Sequence, residues 1–273
     1  LAGNNEADRD LIELLFSNLI DLAENINVSE EGQNWDIILK PDLKWSDGKP
    51  LTSDDIIYTL DTIQDSESRS PLVLTWQGVI ANRISERELE LTLRTPYVFF
   101  LDNLKDLKII PKHIFSSIPP SNFHLSNYNL EPVGNGPYAF SSLEKRKNGF
   151  ITDYHLIANP NFPGKKPLIK KFNLKFYQNN AEIIQAFNAK IIDGFGGISP
   201  KNISELKLNR QILEKNMPRY YAIFLNKNSK TSLDDKKVSL ALSLATNKEK
   251  IITRVFDGHA LIINEPILPI ING

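Results

Sequence analysis

No stretch of this chain restricts its fold more than residues 35–63. Trp35–Lys40 has the length and composition of a short strand, and Pro41 ends it. Between Pro41 and Pro50, Asp47-Gly48 is a tight-turn dipeptide, because glycine enters the left-handed backbone region freely. Thr52 then precedes Asp55 at the spacing of a capping box, in which each residue satisfies the other's backbone amide. Ile56, Ile57, Leu60 and Ile63 follow at helical spacing and give that helix a face to bury. Strand, turn and capped helix agree at every level. Asp54 and Asp55 both fall in the first helical turn, where a carboxylate complements the helix dipole by ~0.3–1 kcal/mol. They read as structural rather than as a catalytic acid pair.

The same logic divides the rest of the sequence. Leu11, Leu14, Leu15 and Leu19 share one face and predict an amphipathic helix over Asp8–Asp21. Val79–Ile84 and Glu88–Arg94 predict a hairpin, with Leu89, Leu91 and Leu93 alternating against Glu90 and Thr92. An apolar, aromatic run over Tyr97–Leu104 reads as helical. Pro111–Leu130 is loop-rich and leads to Val133-Gly134-Asn135-Gly136-Pro137-Tyr138. Tyr138–Leu143 and Phe150–Ile157 predict a second hairpin with a polar tip. Phe172, Leu174 and Phe176 alternate as a strand, and Asn180 is placed to cap a helix carrying Ile183, Ile184 and Phe187. Ile191–Gly194 reads as a short buried strand and Tyr220–Leu225 as another. Two helices follow. The first runs from about Leu233 with Val238, Ala241, Leu242 and Ala245 inward. Asn247 caps the second, which buries Ile251, Ile252, Val255 and Phe256 before Gly258. The class is mixed α and β, and the length of 273 residues allows about two domains.

Composition removes several functions. Lys and Arg total 32 against 33 Asp and Glu, so a net charge of −1 supplies no field to draw nucleic acid or an anionic membrane. The lysines between Lys145 and Lys175 straddle a hairpin tip and a turn without interleaved aromatics, which fits solvated loop ends. No apolar run approaches the roughly 20 residues of a membrane span. Zero cysteines exclude disulfides, thiolate metal sites and cysteine nucleophiles. His113, His124, His155 and His259 show no metal-binding spacing, and Gly194-Phe195-Gly196-Gly197 lacks the companions of a phosphate loop. No nucleophile, base and orienter assemble, so no enzyme, cofactor or metal site is expected. Aromatics remain. Trp76, between a helix and a strand, and Tyr220-Tyr221, opening a strand, either line a ligand cleft or pack a core.

Trp45-Ser46-Asp47-Gly48-Lys49-Pro50-Leu51-Thr52-Ser53-Asp54-Asp55-Ile56 closely resembles the most recognisable segment of the family 5 extracellular solute-binding proteins, the peptide- and nickel-binding receptors of ABC importers. Further agreement follows in order. Gly134-Asn135-Gly136-Pro137-Tyr138 is similar to the family's Gly-Thr-Gly-Pro-Tyr/Phe, with asparagine for threonine. Asn159-Pro160-Asn161-Phe162 through Lys166-Pro167 resembles its Asn-x-x-Tyr/Phe…Pro stretch. Ile191-Ile192-Asp193 matches the place of a Gly-x-Ile-Asp element, although Ala189-Lys190 stands where Ala-Gly is usual. Tyr221–Asn226 and Val238–Asn247 resemble the strand and helix that open the family's third domain, with Ser239 replacing an arginine and Asn247 a frequent aspartate.

The resemblance implies a periplasmic-binding-protein-like bilobal fold of the type II, peptide-binding class, whose lobes close on a ligand about a hinge without chemistry. It implies four stretches: 1–42 as the first part of domain I, 43–132 as an inserted domain II, 133–217 as the return to domain I, and 218–273 as a hinge strand and the start of an incomplete third domain. Met217–Leu225 would be the hinge strand. In peptide-binding relatives the segment before the first helix pairs its backbone with the peptide, which places Asn4, Asn5 and Glu6 at the ligand. Aromatics at Trp76, Tyr220 and Tyr221 would face the cleft, and the carboxylate that meets a peptide's amino group would lie beyond Gly273. The implied function is the substrate-binding component of an ABC importer, taking oligopeptides to a membrane permease. A receptor for a nickel chelate or sugar, or a membrane-tethered sensor or protein-interaction module, are the alternatives. The implied protein is an extracytoplasmic monomer with no nucleic-acid partner, held at the membrane through a lipid anchor upstream of Leu1. Leu1 and Gly273 then read as the edges of a truncated receptor.

Overall fold

The computed structural model describes residues 6–207, 209–214, 220–226, 233 and 235–264. It divides into two compact units, Leu1–Phe176 and Tyr177–Gly273.

The first unit opens with α1 (Glu6–Leu15) and a single turn, α2 (Leu19–Leu22). The helix expected over Asp8–Asp21 is therefore interrupted, and the cause is tertiary. The Ser17 amide donates to Asn135 Oδ1 at 2.9 Å, and Asn18 restarts the helix by accepting from the Asp21 amide at 2.8 Å. Next come β1 (Ala23–Val28), β2 (Asn34–Leu39), α3 (Ser53–Gln64), α4 (Val73–Trp76), β3 (Ile80–Ser85), β4 (Glu88–Thr92), α5 (Phe100–Asp106) and α6 (Lys112–Phe115). The strands form one antiparallel sheet in the order β1-β2-β4-β3. Trp35 pairs with Leu91 and Ile37 with Leu89, so the apolar residues of β2 and β4 share the face that is buried with Ile56, Leu60 and Ile63 of α3. β1 carries only a brief alternation, Asn25-Ile26-Asn27-Val28. Its Asn-rich sequence is extended because β2 offers an edge to pair with. β2 and β4, on either side of residue 42, are neighbours in this sheet.

A second antiparallel sheet holds β5 (Tyr138–Lys145), β6 (Ile151–Ala158) and β7 (Lys171–Lys175) in that order, the first two as the predicted hairpin and the third as the predicted strand. Tyr138, Tyr154 and Leu156 join the same apolar core as the first sheet.

The capping box forms. The Thr52 amide donates to Asp55 Oδ2 at 2.9 Å, while Asp55 Oδ1 accepts from the Lys112 amide, also at 2.9 Å, and so ties α3 to α6. Burial raises the Asp55 pKa above its usual range, against the pull of these two amides. Asp55→Asn must turn an amide NH2 toward one of two N–H donors. It is expected to destabilise the fold by ~1–3 kcal/mol, read as a lower urea midpoint with an unchanged slope.

The second unit contains α7 (Asn180–Asn188), α8 (Lys236–Ala245) and α9 (Lys248–Val255). Asn179 rather than Asn180 caps α7, accepting from the Glu182 amide at 3.0 Å. No strand forms at 191–194. Lys190 takes a positive φ of 58°, and the Ile191 amide still donates to Ala186 O at 2.9 Å, so these residues belong to the helix exit and leave Ile191 exposed. Nor is 220–225 a strand, because no described segment pairs with it, and Met217 lies outside the described residues. Asn247 caps α9 as predicted, and Gly258 follows at φ 87°. The predicted inward faces of α8 and α9 differ from the structure: neither helix has a buried residue, and Leu242, Ile251 and Val255 are exposed.

Candidate functional site

Three of the recognisable motifs meet at one joint in the first unit. The Gly136 amide donates to Leu15 O at 2.8 Å, and the Ser17 hydroxyl donates to Asn135 O at 3.2 Å. On the other side, the Ser46 amide donates to Gly134 O at 2.8 Å, and the Gly134 amide returns a bond to Ser46 Oγ at 3.2 Å. Asn159 Nδ2 reaches Gly136 O at 2.9 Å, and Asn161 Nδ2 reaches Trp45 O at 3.0 Å. Thus the end of α1, the turn after β2, the start of β5 and the end of β6 are fastened together through backbone groups. A Cβ on Gly136 would stand 2.6 Å from Leu15 C and Phe16 N, which is why a side chain is absent there. The joint is scaffold. Sequence reading found the glycines and the Asn159–Phe162 turn but not the joint they form, because Ser17 and Asn135, and Trp45 and Asn161, are more than a hundred residues apart.

The expected ligand residues fare differently. Asn4 and Asn5 lie outside the described residues, and Glu6 opens α1 instead of preceding it. Trp76 is a correction. It is 1% exposed and meets Phe100 edge-on at 5.5 Å, while Trp35 meets the same ring at 5.0 Å. The core reading prevails over the cleft reading, because the indole is packed into the apolar core of the first unit. Tyr220 and Tyr221 are open to solvent, with Tyr221 at 76% exposure and its ring 5.5 Å from Phe256. They belong to the second unit and Trp76 to the first.

His113 Nε2 lies 2.9 Å from Asp47 Oδ2, and His155 Nδ1 lies 2.8 Å from Asn173 Oδ1, pairings that fix loops and strands. Among the described residues no three His, Cys, Asp or Glu side chains come together as a metal would require, and no helix is long and apolar enough to cross a membrane.

The model of the family described as bacterial extracellular solute-binding proteins, family 5 Middle, matches residues 20–273. The chain belongs to that family. A similar curated protein is the oligopeptide-binding protein AppA of Bacillus subtilis, 24% identical over 99% of this chain and 51% of its own length. A protein of Brucella ovis described as a putative ABC transporter peptide-binding protein is 24% identical over 88% of this chain and 45% of its own. Among solved structures, NikZ from Campylobacter jejuni in complex with Ni(L-His) superposes with a TM-score of 0.78 at 26% identity, covering 97% of this chain and 54% of that one. B. subtilis AppA with a nonapeptide gives the same score at 24% identity, covering 98% and 55%. The family 5 chain therefore has the expected periplasmic-binding-protein fold, and it spans about half the length of the relatives it matches. The named relatives are binding proteins, and the family is extracellular by description.

Proposed function

We propose that this family 5 protein is the substrate-binding component of an ABC importer. It captures oligopeptides outside the cytoplasmic membrane, passes them to a permease and performs no chemistry on them. The observation that carries the reading is the family match over residues 20–273, supported by AppA, whose name and bound nonapeptide point to peptides. The reading includes a monomer, a lipid anchor, and family domains divided at 42/43, 132/133 and 217/218. Asn4, Asn5, Glu6, Tyr220 and Tyr221 are its ligand-facing residues, with the exposed tyrosines offering stacking area at low conformational cost.

NikZ, with Ni(L-His) bound, supports a second reading as a metal-chelate receptor. Calorimetry on the native gene product, with mixed peptide pools and separately with nickel–histidine, distinguishes the two. Saturable heat with peptides is expected. Binding of nickel–histidine without peptide binding would replace the peptide reading, and binding of neither would overturn the importer reading.

A further inference from the structure

A pocket of about 490 Å³ opens in the first unit beside the end of β4, lined by Leu74, Gln77, Arg94, Tyr97, Phe100 and Asn103 together with their neighbours. That volume is within the range of sites that hold small organic ligands, ~300–1,000 Å³. It rests on packed core, because Phe100 beneath it is 1% exposed and held edge-on by Trp35 and Trp76. Its rim is fixed from α3: Gln64 Nε2 donates to Val79 O at 2.9 Å, and Gln64 Oε1 accepts from the Gly78 amide at 3.1 Å. Lining the pocket are Leu74, 84% exposed, and Tyr97, 49% exposed, apolar surfaces that no core claims. Exposed apolar groups gathered at the mouth of a preformed cavity mark a binding surface more than isolated ones do.

The polar groups point the same way. Among the described residues, the side chains of Arg94, Gln77 and Asn103 make no hydrogen bond or ion pair. Arg83 and Arg87, nearby in the same sheet region, instead each hold a carboxylate, Asp54 at 3.1 Å and Glu24 at 2.6 Å. A planar guanidinium without a partner, beside two free amides and the half-exposed ring of Tyr97, matches one ligand chemistry best. The geometry points to an accessory site for a small monocarboxylate with a flat apolar body. Arg94 forks onto the carboxylate, Asn103 and Gln77 satisfy its remaining lone pairs, and the exposed Tyr97 and Leu74 cover the apolar part. The site lies wholly within the first unit and is independent of the peptide reading.

Calorimetric titration of the whole chain with indole-3-acetate and with its neutral amide, indole-3-acetamide, tests the site. The acid is expected to saturate and to bind roughly tenfold or more tightly than the amide, the scale of one charge-assisted bidentate pair. Arg94→Gln is expected to erase that preference and weaken the acid by the same factor, while Tyr97→Ala weakens both compounds. Arg94 is exposed and unpaired, so Arg94→Gln should melt as the parent does, and Arg94→Lys should recover part of the preference. Failure of the acid to saturate at millimolar concentration would overturn the site, as would equal affinity before and after Arg94→Gln. Peptide binding by the native gene product should not respond to Arg94→Gln, which keeps this result separate from the importer reading.

Discussion

Replacing Gly136 by alanine is expected to lower the stability of the first unit by about 3 kcal/mol or more, at the upper end of the cost of overpacking. The obstruction is backbone: the new methyl would stand 2.6 Å from Leu15 C and from Phe16 N and 2.9 Å from Leu14 O. A flexible side chain could swing aside, but these atoms are held by the end of α1 and by the Gly136 amide bond to Leu15 O. Relief requires parting the two segments, which also strains the Ser17–Asn135 pair and the Asn159 bond to Gly136 O. All three tryptophans, Trp35, Trp45 and Trp76, lie in the first unit, so indole emission during heating reports on it alone. At ~2–4 °C per kcal/mol for a unit of this size, the melting temperature should fall by roughly 6–12 °C. Gly149→Ala is the control. It sits at a hairpin tip with φ 86° and open space around it, so it meets only backbone strain and should cost ~1 kcal/mol. A Gly136→Ala protein that melts with the parent would remove the joint as the reason for the motif.

The joint also explains why so much of the fold was legible and so little of the ligand site. Trp45–Ile56, Gly134–Pro137 and Asn159–Phe162 identify the family because turns, caps and close backbone approach each demand particular residues. Alternation marked β4 and β7, and the polar hairpin tip marked β5 and β6, for the same local reason. Reading ran out where a partner distant in sequence decides the outcome. Asn135 takes the Ser17 amide and breaks a helix whose apolar spacing is otherwise continuous, and β2 draws the Asn-rich β1 into a sheet. At 220–225 the apolar pattern is present but no described strand pairs with it, so pattern alone could not make a ladder. Ligand residues suffer most from this limit. A cleft aromatic and a core aromatic have the same letter, and only the packing around each tells them apart.

Trp76 is where that distinction can be measured. As a core residue held against Phe100 and 1% exposed, its replacement by alanine is expected to cost ~3–5 kcal/mol, lowering the melting temperature by roughly 6–20 °C. The loss combines the removed apolar area with the cavity left beneath α4 and the edge-on ring contact. Trp76→Phe separates scaffold from ligand contact, because it keeps an aromatic edge for Phe100 while shortening the side chain. In the native gene product that variant should lose only part of this stability and should bind peptide within about twofold of the parent, a difference of ~0.4 kcal/mol. A Trp76→Phe protein that melts normally yet loses peptide binding would return the residue to the ligand cleft, and burial against Phe100 would then describe only the unliganded arrangement.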